Sequence, residues 1–462
     1  MNMTTSPSIP LFEEVVNGFN KLSVSGGTKK ESSDLRRTRQ SAFEKFRALG
    51  GFPSIRNEDW RYTNLARFLK DEFVIEGWEV TTASNDGPSD NGPSARSAPV
   101  ADASLVKKAH IAGLDCYQIV LVNGSWDGTV AGGELPQGIQ VLKVADARQD
   151  PALSMYFEKQ TGWNEHFANL NAALFADGLF VRVDAGVTIE KPLHIIHAYT
   201  SENNLLVQPR NVWVINRNAE LSAIESVVSD GKGIIWANGL SDVLVHADAR
   251  FHHTMIQTAG RGVRIVQQTS VRQHRQSLYN NFTFTLPGAD LVRNDLQTRL
   301  EEDHTETHLY GLYLTAGNQL VDNHTLVDHQ KPHCLSNELY KGVLLEQSTG
   351  VFNGKVYVHQ DAQKTNAFQQ NNNLVISPKA TIDSKPQLEI FADDVKCSHG
   401  STVGQFSEEA LFYLRSRGIG EEAAKGLLIN AFAFDVTEKI RIPEVETHVN
   451  ELISFHIPAN HA

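Results

Sequence analysis

Cysteine is scarce here. With only Cys116, Cys334 and Cys397 among 462 residues, a disulfide framework is excluded, and such usage fits a reducing cytosol. A basic excess is missing too. The formal charge of −12 argues against a general nucleic-acid binder, whose affinity comes from Lys and Arg displacing phosphate counterions. No apolar run approaches the roughly 18–20 residues of a membrane-spanning helix. Glu13 and Glu14 fall where a signal sequence would be apolar, and the Arg-rich, acid-poor character of a transit peptide is absent. The expectation is a soluble cytoplasmic protein with neither a membrane nor a nucleic acid as partner.

Most catalytic signatures are absent as well. Gly26-Gly27-Thr28-Lys29-Lys30 lacks the glycine spacing and terminal Ser/Thr of a phosphate-binding loop. There is no GxGxxG after a strand, no HExxH and no EF-hand loop. In Gly124-Ser125-Trp126-Asp127-Gly128 the serine sits one place too early for a nucleophile elbow. Without a Cys-x-x-Cys pair, the chain alone cannot supply a four-thiolate cluster cage. Any metal held here needs mixed ligands or a second subunit.

What is present divides the chain into three. Residues 1–178 read as a helical or mixed region. Ala42, Phe43, Phe46 and Leu49 recur at helical spacing before Gly50-Gly51. Thr81–Pro99, inside a linker at about 81–100, is rich in Ser, Asn, Asp, Gly and Pro and too poor in apolar residues to fold alone. A helix is expected from Asp150-Pro151 to Gly162, and another from Asn164 with Phe167, Leu170 and Leu174 on one face.

From about Leu179 the period changes to alternation, as in Val212-Trp213-Val214, Val263–Val266, Phe282-Thr283-Phe284 and Val356-Tyr357-Val358. Short strands broken by Gly, Asn and Asp persist to about residue 405. A sandwich, a barrel or a stacked solenoid could carry them, and the length favours the solenoid, whose coils each cover the last. No strict repeat is visible. Residues 406–462 return to helix. Ser407 caps Glu408-Glu409, a second helix from about Glu421 places Ala424, Leu427, Leu428 and Ala431 on one face, and a third begins at Pro443.

Cys397 and His399 are the candidate metal ligands. If Val395–His399 is a strand, residues two apart share a face, so thiolate and imidazole converge, and Asp393 lies two places before Val395. That pair suits iron or zinc. An isolated Cys-x-His is equally the mark of a buried core cysteine. Histidine totals 18; His304, His308, His324, His329 and His333 cluster beside Cys334, and read either as a transient iron-binding surface or as solvated and internally satisfied imidazoles. Cys116 reads as packing, and Trp60, Tyr62 and Trp163 as anchors tying helix to core.

Longer runs carry a resemblance. They are Glu58-Asp59-Trp60-Arg61-Tyr62-Thr63, Leu170-Asn171-Ala172-Ala173-Leu174, Pro209-Arg210-Asn211 and Ala362–Ala367. Ser384-Lys385-Pro386-Gln387-Leu388-Glu389-Ile390, Asp393–Gln405 and Leu411–Ile419 complete the set. Together they resemble the SufB/SufD family of iron–sulfur cluster assembly subunits over most of the chain outside the linker. Asp393-Asp394-Val395-Lys396-Cys397-Ser398-His399-Gly400 is similar to the SufD version, and the additional strand cysteines of SufB are missing.

The resemblance implies a mainly β fold, a right-handed parallel β-helix over 179–405 flanked by helical N- and C-terminal regions. It implies a non-enzymatic scaffold that pairs with SufB through the β-helix and binds the ATPase SufC on helices beginning at Ser407. A transient iron or nascent cluster would be shared with SufB, with His399 as ligand or iron-admitting residue and Cys397 as second ligand or support. A homodimer in isolation is compatible with it, and no residue pattern supports a flavin. The rival expectations are a β-helix carbohydrate-active enzyme, for which the His/Asp-rich strip Asp303–His308 is the nearest approach to a catalytic cluster, and a purely structural partner of SufB.

Overall fold

The computed structural model describes residues 10–24, 33–75, 102–150, 153 and 165–457. The segment Thr81–Pro99, the helix expected from Asp150-Pro151, the cap Asn164 and Trp163 lie outside the described residues.

The body is a parallel β-solenoid of about eight coils. Successive strands alternate between two sheets, so each coil lays one strand on each. One sheet runs from Ile139–Lys143, antiparallel to Leu179–Val183, through Ile235–Val245, Leu291–Leu300 and Leu320–His329 to Thr381–Ile390. The other runs from Tyr117–Val122 through Leu193–Tyr199, Arg250–Gln257, Glu306–Thr315 and Leu335–Leu344 to Lys396–Gly404. The change of period near Leu179 falls on the strand Leu179–Val183, but Tyr117–Val122 and Ile139–Lys143 before it already pair into the two sheets. Its coils differ in length: Arg264 pairs with Leu291, 27 residues on, whereas Thr349 pairs with Thr381, 32 residues on. That drift hides the repeat from the sequence.

Alternation sends every second side chain into a continuous interior that includes Trp213, Val243, Phe251, Tyr279, Tyr313 and Phe352. One corner of each coil is closed by a left-handed residue: Asn218, Asp248, Gln276, His304, His333 and Lys364, with φ between 56° and 62°. Each donates its backbone N–H to the next coil, as Asn218 does to Ala247 O (3.0 Å). Asn and Asp tolerate this region best, so the corner is a stacked hydrogen-bond ladder and not a random loop.

Helices cover both outer faces, as parallel sheets require. In chain order they are α1 (Pro10–Val24), α2 (Ser33–Ala48), α3 (Ala103–Lys108), α4 (Val144–Ala147), α5 (Glu165–Leu174), α6 (Glu408–Ser416), α7 (Glu421–Thr437) and α8 (Pro443–Phe455). The N-terminal group buries Phe43, Phe46, Phe52, Trp60 and Phe167 against Leu206, Trp236, Val266 and Leu291 of the first sheet. α2 stops at Ala48, and Gly51 then turns at φ 82°, where a Cβ would meet the Phe12 ring at 2.4 Å. Leu49 falls past the helix end and is exposed.

The motif residues have backbone work to do. Asn171 Nδ2 donates to Pro209 O and Asn238 O (both 2.9 Å), and Asn238 Nδ2 donates to Phe167 O (2.9 Å). These bonds dock α5 on the sheet and give the backbone carbonyls of Phe167, Pro209 and Asn238 a donor. Arg293, wholly buried, donates to Asp59 O (2.7 Å), pairs with Asp322 (2.7 Å) and Asp295 (2.9 Å), and lies 3.9 Å over the Trp60 ring. Trp60 is therefore an anchor as expected. Tyr62 is not: it is 44 % exposed.

The C-terminal helices pack Ile429, Ala433, Val436, Val445, Val449 and Ile453 on Ile256, Phe284, Leu312 and Val343 of the second sheet. Ser407 caps α6 by accepting from Ala410 N (3.2 Å). The expected face of α7 needs correction. Ala424 is buried, but Leu427 is 50 % exposed and Ala431 is exposed too, because the stripe Ala424–Ile429–Ala433–Val436 meets the sheet.

Candidate metal-binding edge

The second sheet ends at Lys396–Gly404, which pairs on one side only, with Asn366–Val375. The strand begins at Lys396 and not at Val395. Asp393 and Asp394 form the bend before it, with Lys364 N donating to Asp394 O (2.6 Å) and the Lys364 ammonium paired to the Asp394 carboxylate. Asp393 is thus off the strand face it was expected to share.

Register fixes where Cys397 and His399 point. Cys397 stacks on Ala367, and below that on Ser336 and Thr307; His399 stacks on Gln369, and below that on Glu338 and Leu309. All six underlying residues are buried and face the interior. Both candidates therefore occupy inward positions, two apart on one face, at a coil with no further coil upon it. Cys397 is half-buried against Val356, Val358 and Ala367, and His399 is exposed. Burial pushes the Cys397 thiol up, although the Ala367 backbone bond offsets part of this. A metal there would have to displace that proton, as thiolate binding always requires.

Beneath His399 lies a polar column the sequence did not reveal. Gln369 Nε2 donates to Glu338 Oε2 (2.7 Å), and Thr325 Oγ1 donates to Glu338 Oε1 (2.5 Å). Burial with no cation alongside pushes the Glu338 carboxyl up to about 7, against the pull of its bonds to Thr325 and Gln369. Around the same end, Phe368, Ile390, Phe391 and Val403 are 39–57 % exposed. Only the coil register, not local sequence, brings these together.

The histidines that cluster in sequence are dispersed by the strands. His304 and His333 occupy successive left-handed corners with rings stacked at 4.8 Å. His308 points outward to Glu306 (2.6 Å), and His324 outward to Asp322 (2.9 Å). His329 points inward to Ser336 Oγ (2.9 Å), and burial pushes it down to about 3, so it stays neutral. Cys334 is buried with its Sγ 3.4 Å from Glu302 O. These are the solvated and internally satisfied imidazoles of one of the two readings. Among the described residues no three His, Cys, Asp or Glu side chains come together as a set that could hold a metal ion.

A second buried cluster lies mid-solenoid, where Glu225 bridges His197 (2.6 Å) and His253 (2.7 Å). Burial opposes its charge, yet the two imidazoles hold it well below the usual carboxylate range. No helix of the described residues is long and apolar enough to cross a membrane.

The fold is thus a parallel β-solenoid clad by helices, with Cys397 and His399 on its open final coil. Comparison with known proteins gives the family. The profile described as SUF system FeS cluster assembly, SufBD core domain, matches residues 197–432, and that of the SufBD N-terminal region matches 25–87 and 95–195. The chain belongs to the SufBD family of iron–sulfur cluster assembly proteins. It is 31 % identical over 439 residues to an iron–sulfur cluster assembly SufBD family protein of Synechocystis sp., covering 92 % of this chain and 91 % of that one. It is 28 % identical over 411 residues to the iron–sulfur cluster assembly protein SufD of Escherichia coli, covering 88 % and 90 %.

Proposed function

We propose that the chain is a cytoplasmic, non-catalytic scaffold that pairs its open final coil with SufB, carries the ATPase SufC on its C-terminal helices, and presents His399 to iron or a nascent cluster held between the two β-helices. The observation that carries this reading is the unpaired edge Lys396–Gly404, with Cys397 and His399 on the inward face and Phe391 and Val403 exposed beside it. An unpaired strand with exposed apolar neighbours is a template for another chain's strand. Two ligands from one chain are too few for iron or a cluster, which makes a partner's cysteine the natural complement.

The C-terminal module supports the second contact. In the docking module 406–462, α6 buries no residue, and Phe412 is 73 % and Tyr413 57 % exposed, with Leu427 and Phe434 of α7 beside them in sequence at 50 % and 51 %. Apolar side chains exposed in such number mark a protein contact.

His399→Ala is the test. Cluster maturation by the three-subunit complex should be lost while the complex still assembles; full activity in this variant sinks the reading. In a purely structural role, iron would stay unbound in the complex, which anaerobic spectroscopy reads directly. The carbohydrate-enzyme alternative loses its nearest candidate. His304 and His308 of the strip Asp303–His308 are paired with their own neighbours Asp303 (2.9 Å) and Glu306 (2.6 Å).

A further inference from the structure

A cleft of about 520 Å³ opens where the segment Ile55–Thr63 crosses the outer face of the first sheet. That size lies within the range of small-molecule sites. Its floor holds His324 and Asp322, which are 3 % and 0 % exposed. Asp322 Oδ2 accepts from Thr63 Oγ1 (2.5 Å) and Arg293 Nη1 (2.7 Å), and its Oδ1 lies 2.9 Å from His324 Nε2. Burial alone would raise this carboxyl, but Arg293 and then His324 overcome it and hold it at about 2. On the wall, Lys385 is paired with Glu58 at 2.8 Å.

What remains at the mouth is unspent. Arg56 and Arg61 line the cleft, and neither guanidinium makes an ion pair among the described residues. Counting the buried network beneath, Arg56, Arg61, Lys385 and Arg293 face Glu58, Asp59, Asp322 and Asp295, so the formal charges balance and the two guanidiniums are the cationic groups left outside an ion pair. Ile55 and Tyr62 add exposed apolar surface, 53 % and 44 %. None of these side chains holds the segment in place. That is done by Trp60, Thr63 and the Asp59 carbonyl, through Arg293 and Asp322. The backbone is thereby fixed by one set of residues while another set faces the cleft. Preorganised presentation of this kind is what a binding site needs. Arginine's planar fork is matched to carboxylate and phosphate oxygens.

We propose that this cleft binds a small oxyanion-bearing molecule, a phosphate or a polycarboxylate, gripped by Arg56 and Arg61 above the His324–Asp322 floor. The site is independent of the cluster-assembly reading and lies on the opposite sheet from His399.

Calorimetric titration of the full chain with pyrophosphate and, separately, citrate tests it. Saturable one-to-one binding of at least one probe is expected, weakened about tenfold or more by Arg61→Ala, in line with losing a charge-assisted contact. Arg217→Ala, an exposed arginine far along the solenoid, should bind as the parent does. Binding of pyrophosphate alone assigns a phosphate ester, and of citrate alone a polycarboxylate. The proposal is overturned if neither probe saturates, or if Arg56→Ala/Arg61→Ala binds as tightly as the parent. Both arginines are exposed and unpaired, so these variants are expected to fold, which circular dichroism verifies.

Discussion

Midway along the solenoid, Tyr279, Tyr313 and Tyr340 point inward and are essentially inaccessible; on the final coil, His399 and Val403 occupy inward positions of the same alternation and are exposed. The backbone geometry is the same in both places. The difference is a neighbour: each middle strand has a partner on both sides, and Lys396–Gly404 has one. Covered coils spend their polar groups on one another, as Glu225 does with His197 and His253 of the coils on either side. The last coil spends some of its polar groups on the coil beneath, as Thr402 does with Asn372 (2.8 Å), but His399 is exposed on a face that no further coil covers.

The comparison can be broken first from the closed side. Arg293→Ala leaves Asp295 and Asp322 buried without their cation and removes the clamp on Trp60. Breaking a buried ion network of this sort costs about 3–5 kcal/mol. Urea denaturation of the full chain should show that loss.

A smaller effect is expected just under the open coil. Glu338, raised to about 7 from 4.5, keeps its proton when folded and loses it when unfolded. Unfolding therefore releases a proton between these values, so this group's contribution to stability declines as pH rises from about 4.5 to 7 and is flat above. Glu338→Gln removes that slope, worth at most about 3 kcal/mol across the window. Denaturation midpoints at pH 5 and pH 7.5 should move apart less in the variant than in the parent. His329, depressed to about 3, acts in the opposite sense below pH 6.5 and is unchanged in both proteins.

The smallest effect belongs to the exposed rim. Lys385→Ala removes only the surface pair with Glu58, and no change in the denaturation midpoint is expected beyond measurement error, since exposed ion pairs contribute little.

Much of the last coil was legible beforehand. The alternation starting near Leu179 falls on the strand Leu179–Val183, and two-residue spacing alone puts Cys397 and His399 on one face. Coil length was not legible, because it drifts from 27 to 32 residues. With it went every contact that depends on register, such as Gln369 over Glu338, and the Arg293 network, which joins positions 59, 295 and 322. The face of α7 misled for a different reason. Its apolar residues form two stripes, Ala424–Ile429–Ala433 against the sheet and Leu427–Phe434 toward solvent. Hydropathy cannot distinguish a stripe that packs on the fold from one left for a partner. The scatter of His304, His308, His324 and His329 likewise follows from corner and strand positions that spacing does not display.

Amide hydrogen exchange of the chain alone and in complex with SufB tests the central claim most directly. The account predicts that Lys396–Gly404 and Thr381–Ile390 exchange fastest of all the solenoid strands in isolation and become strongly protected on binding, while strands such as Leu278–Thr285 do not change. Protection elsewhere on the solenoid, with Lys396–Gly404 exchanging as it does in the free chain, would contradict it.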